Sequence, residues 1–98
     1  MNTNHTVTFM PLAEENYLKI LDWAKSEAIE DSISFAMKQA VELIRSDAVN
    51  AGEPVYNLKQ MKMRVCRILV PPLYVEYGVH FTKPLAFIRR VVLLRKPS

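Results

Sequence analysis

The chain has 98 residues and a mass of 11.3 kDa, half of it hydrophobic and 23% charged. That predicts one globular domain over residues 1–98 and excludes a disordered tail or a collagenous repeat. No apolar run approaches the ~20 residues of a membrane span. The first residues lack the basic and apolar regions of a secretory signal. The single cysteine, Cys66, cannot close an intramolecular disulfide, so a reducing cytoplasm is the expected compartment.

The net charge of +3 is unevenly spread. Residues 1–53 carry four Lys/Arg against nine Asp/Glu, a balance of −5, whereas residues 54–98 carry nine against Glu76 alone, a balance of +8. Such a split implies a basic surface for a polyanion or an acidic partner. Basic sheet edges that resist aggregation are the plainer explanation. In the basic half arginine outnumbers lysine five to four, which favours recognition of phosphate or carboxylate.

Residues 5–10 alternate as a short strand, with His5, Val7 and Phe9 on one side. Pro11 suits the first position of a helix, and Glu14 and Glu15 fall where the helix dipole favours acid. Ala13, Tyr17, Ile20, Leu21 and Ala24 recur at helical spacing, predicting an amphipathic helix over 11–25. A break follows between Ser26 and Asp31, both of which qualify as N-caps. Ile29, Ile33, Ala36, Met37, Ala40, Leu43 and Ile44 form a second stripe, over about 29–48. The short connection predicts an αα-hairpin. Asn50, Gly52 and Pro54 supply the stop signals.

Beyond Pro54 the period changes to two. Met61 to Val70 reads as a strand, Pro71-Pro72 interrupts the ladder, and Leu73 to Phe81 alternates as a strand with one buried face. Thr82-Lys83-Pro84 turns into a last strand, Leu85 to Leu94, apolar on both sides except at Arg89 and Arg90 and therefore expected inside the sheet. The order is β-α-α-β-β-β, an α+β fold with a helical hairpin on one face of a small, mainly antiparallel sheet.

No metal site or cofactor is expected. His5, Cys66 and His80 lack ligand spacing, and with only Gly52 and Gly78 there is no phosphate loop. A Cys66–His80 nucleophilic pair across neighbouring strands competes with Cys66 as a small core residue. His80 beside Glu76 reads as an acid–base pair or as a solvated polar face. The basic set remains: Lys62, Arg64 and Arg67 on the first meander strand, and Arg95-Lys96 after the last. Strict alternation separates Arg67 from Lys62 and Arg64, and a bulge near Cys66 would unite them. Alternation also sends Arg89 and Arg90 to opposite faces. Together with Tyr74 and His80, such a face suits RNA, phosphate or an acidic peptide.

Residues 7–13 (VTFMPLA), followed by Leu18, Ile20 and Trp23, resemble the opening of the RelE/ParE toxin superfamily. So do Arg67, the break at Pro71-Pro72, the strand through Tyr74 to Tyr77, and the apolar last strand closed by Arg95-Lys96. The resemblance spans nearly the whole chain. It implies the toxin of a type II toxin–antitoxin pair, neutralised by the C-terminal segment of an acidic or amphipathic antitoxin. In the ribonuclease branch an arginine stands where this chain has Tyr74, and a tyrosine lies near the C-terminus, where this chain has none. The resemblance therefore implies a ParE-like, non-nucleolytic inhibitor with DNA gyrase as the expected target. The alternatives are a RelE-like interferase acting on ribosome-bound mRNA and a non-toxic protein-binding module. On this reading the catalytic candidates are Arg67, His80 and Arg95. The partner or nucleic-acid contacts are Lys62, Arg64, Arg67, Tyr74, Arg95 and Lys96.

Overall fold

The computed structural model describes residues 4–94. Strand β1 (Thr6–Phe9) leads into helix α1 (Pro11–Ser26), which opens on Pro11, with Glu14 in its first turn and Lys25 in its last. These charges complement the helix dipole. Helix α2 (Glu30–Ala51) follows after a tight turn in which Ala28 adopts a left-handed conformation with φ 57°. Neither predicted N-cap serves: Ile29 occupies the capping position without a side-chain bond, and the Ser26 hydroxyl donates backward to the Trp23 carbonyl at 2.6 Å. The turn is closed instead by main-chain bonds from Glu27, Ala28 and Ile29 to Ala24 and Lys25.

The sheet has five strands in the order β1-β5-β4-β3-β2. Beyond the expected meander of β3 (Met63–Val70), β4 (Leu73–His80) and β5 (Leu85–Leu93), a further strand, β2 (Glu53–Leu58), pairs antiparallel with β3. A 3-10 turn, Lys59–Met61, separates β2 from β3, so the predicted start of the strand at Met61 moves to Met63. Strand β1 lies parallel to β5 at the other edge, and the remaining pairs are antiparallel. The architecture is α+β, two helices on a mixed sheet, and the apolar last strand is interior over its first half.

Both helices cover one face. Ala24, Ile33, Ala40, Ile44, Cys66, Leu73, Val75, Tyr77, Ile88 and Val91 are fully or almost fully buried in one cluster between the layers. Small residues on the helices let them approach the sheet closely, where dispersion contacts accumulate. Strands β3 and β4 pair without slip from Met63–His80 to Val70–Leu73. Period two therefore puts Cys66, Ile68 and Val70 with Val75 and Tyr77 on the helix side, and Arg67, Tyr74, Glu76, Gly78 and His80 on the helix-free side.

Candidate functional site

Arg67 stands on the helix-free face, opposite Glu53 in the register with β2. Its Nε lies 3.4 Å from a Glu53 carboxylate oxygen, and its Nη1 reaches the Tyr74 hydroxyl at 3.4 Å. The guanidinium carbon is 6.0 Å from the Tyr74 ring centroid. The Tyr74 hydroxyl first, then Glu53, hold Arg67 even further above its already high ordinary pKa. The group stays cationic and solvent-facing, and its long contacts leave it free to exchange partners. Asn50, Gly52, Leu69 and Tyr74 complete the walls of a cleft of about 570 Å³ around it.

A second cationic group lies on the same face. The register runs Glu76–Arg90 and then Tyr77–Ile88, leaving Arg89 as an extra residue in β5. This bulge defeats strict alternation, so Arg89 and Arg90 both stand on the helix-free side, correcting the expectation of opposite faces. Arg89 sits 3.8 Å from the Glu76 carboxylate and 3.9 Å from the Met63 sulfur. Gly78 makes the room: a Cβ there would meet the Met63 sulfur and, at 3.5 Å, the Arg89 stem. Arg89 thus packs its stem across the sheet, and its buried Nε makes no hydrogen bond.

The other predicted residues do not join this group. Lys62 lies outside β3, in a left-handed turn with φ 53°. Arg64 falls on the helix side, in a small recess with Val49, Cys66, Val79, His80 and Phe81. No bulge interrupts β3 at Cys66; the register shift lies on β2, between Pro54 and Tyr56, so Arg67 stays on the face opposite Arg64. Arg95 and Lys96 lie outside the described residues.

The proton-transfer candidates are committed elsewhere. His80 Nδ1 accepts the Thr82 and Lys83 amides at 3.2 and 3.0 Å, so it caps the β4–β5 turn. Its expected partner Glu76 is paired with Arg89. Cys66 faces the core beside Tyr77, fully buried, and burial pushes its thiol up, away from the thiolate a nucleophile needs. Tyr77 is itself fully buried and donates its hydroxyl to the Ala48 carbonyl at 2.9 Å. That carbonyl lies just after Asp47, whose φ of −157° and ψ of 63° break the helical path. Burial, the largest cause, pushes the Tyr77 phenol well above its ordinary pKa. Among the described residues no group of three or more His, Cys, Asp or Glu is placed to hold a metal.

Sequence reading missed Glu53 and Glu76 as the counter-charges of the arginines, and Gly78 as the slot for Arg89. The isolated glycine inside an alternating strand was the available signal, since it marks a close approach.

Charge follows the two halves of the chain rather than the layers. The described part of residues 54–94 carries seven Lys/Arg against Glu76, whereas the helical half is acidic. No helix among the described residues is long and apolar enough to cross a membrane.

No family model matches the sequence, and no curated protein matches it. Among solved structures, the chain is similar to one in the crystal structure of the toxin–antitoxin complex RelBE2 from Mycobacterium tuberculosis. The superposition has a TM-score of 0.64 at 14% identity and covers 93% of this chain and 92% of that one. At this identity the likeness speaks for the fold alone: the chain shares its α+β architecture with that chain.

Proposed function

We propose that the chain is the toxin of a type II toxin–antitoxin pair and that it acts by binding a protein target, with DNA gyrase the expected one, without cutting RNA. The observation that carries the toxin part is the fold, shared over nearly the full length with a chain of a toxin–antitoxin complex. The non-nucleolytic part is supported by the fate of the proton-transfer groups. RNA cleavage needs a base for the 2′-hydroxyl and an acid for the leaving oxygen. His80 is occupied by two main-chain amides and Glu76 by Arg89. The basic helix-free face, with Arg67 and Tyr74 at its cleft, suits an acidic partner surface, and an acidic or amphipathic antitoxin segment would neutralise it. Arg95 and Lys96 are assigned to the same binding role.

The RelE-like reading, cleavage of ribosome-bound mRNA, draws support from one feature, a guanidinium and a phenol hydroxyl side by side on that face. Induced expression in a bacterial host tests the toxin assignment: growth should stop, and co-expression of a cognate antitoxin should restore it. Unimpeded growth would leave a protein-binding module on a toxin fold.

A further inference from the structure

We infer that the uncovered half of β5 accepts an extended segment of a partner protein as an added strand, and that this segment alternates apolar and acidic side chains. Strand β1 pairs only with Leu85–Ile88, and after the bond from the Met10 amide to the Ile88 carbonyl, 2.9 Å, the chain leaves the sheet as α1. From Arg89 to Leu93, β5 has β4 on one side and, among the described residues, no strand on the other. The Leu94 amide points to β4, donating to the Pro72 carbonyl at 2.8 Å. Successive amides alternate, so those of Leu93 and Val91 point to the open edge. The Asn16 side chain accepts the Val91 amide at 3.1 Å, standing in for a strand. No side chain among the described residues does so for Leu93.

The edge forms the floor of a groove of about 390 Å³ against α1. Leu12, 78% exposed, and the half-buried Ile20 make its helix-side wall. Arg90 stands on the other face of the strand, exposed and without an ion-pair partner among the described residues, since Glu76 is taken by Arg89. A strand added here sends alternate side chains to the two faces. One set meets Leu12 and Ile20 and must be apolar, and the other falls beside Arg90 and is best acidic. The opposite sheet edge is guarded: β2 carries Pro54, which has no amide to donate, and a bulge. That the segment belongs to the antitoxin rests on the function proposed above.

The test titrates the ¹⁵N-labelled full chain with a synthetic peptide alternating valine and glutamate. The expected result is saturable shifts centred on the Val91 and Leu93 amides and the Asn16 side-chain amide, with slowed exchange at Leu93. Methylating alternate peptide amides, or exchanging glutamate for lysine, should each weaken binding about tenfold or more. Arg90→Glu should reverse the charge preference, and Leu12→Asp should weaken both peptides. Shifts centred on β2, equal binding of the methylated peptide, or no saturable shift would overturn the proposal. So would a Leu93 amide protected in the free chain or protected as protein concentration rises, because the chain or a second copy then fills the edge. A chain that binds the peptide this way yet stops no growth keeps the groove and loses the toxin. A toxic chain whose antitoxin leaves the Leu93 amide exchanging freely loses the groove alone.

Discussion

Tyr77 shows how one side chain joins sheet and helix. Its ring fills the core and its hydroxyl satisfies the Ala48 carbonyl beside the irregular turn of α2. Tyr77→Phe keeps the ring and strands a buried acceptor, so it should cost about 1–3 kcal/mol in denaturant unfolding. The same residue sets a pH dependence. Its folded-state pKa is raised above the unfolded value of about 10, so the folded state holds the proton more tightly. This stabilisation is complete below about pH 10 and fades as pH rises beyond it. Stability should therefore fall in alkali, and less steeply in Tyr77→Phe, where the raised Cys66 thiol and Tyr17 phenol still contribute in the same direction. A pH series of urea midpoints checks both slopes. Ala28 offers the opposite case: at φ 57° it pays for a Cβ in the left-handed region. Ala28→Gly should raise stability by about 1 kcal/mol, read from the same midpoints.

The junction of α2 with β2 rests on Gly52. A Cβ there would overlap the Arg67 carbonyl oxygen and come within 2.8 Å of the Tyr77 hydroxyl. The first of these is main chain and cannot rotate away. Gly52→Ala should cost about 1–3 kcal/mol and shift the Arg67 amide resonance, since it pushes the helix end off β3. The elements themselves were largely legible. Apolar residues at spacings of three and four marked both helices, and alternation marked β3, β4 and β5, because each buries one face. Strand β2 was not legible: its residues are mostly exposed, it carries Pro54, and a bulge breaks its register, so no period of burial is written into it. The capping error has a related cause, since the α1–α2 turn is closed by main-chain bonds that leave no side-chain signature.

Across the whole molecule, the proposed function makes the helix-free face, with Arg67, Arg89 and Arg90, the surface that meets a negatively charged partner. Sequence identified the basic set but not its grouping. Arg67 and Tyr74 meet, Lys62 and Arg64 stand apart, and the β5 bulge brings Arg89 and Arg90 to that face, a shift that alternation alone cannot announce. If these basic residues carry the function, replacing Arg67, Arg95 and Lys96 together by alanine should change folding stability by no more than about 0.5 kcal/mol. Partner affinity should fall by on the order of 1–3 kcal/mol, with a flatter salt dependence. Calorimetry against the antitoxin, with thermal melting of the same variant, separates the two effects. Full affinity, or unfolding, would make these residues scaffold.

The proposed mode of action is tested most directly by following DNA supercoiling and transcript ends together in cells arrested by induced expression. A gyrase-directed, non-nucleolytic toxin should relax plasmid DNA within the arrest while transcripts keep their native ends. New internal ends within translated messages, with supercoiling unchanged, would contradict it and assign the basic face to RNA.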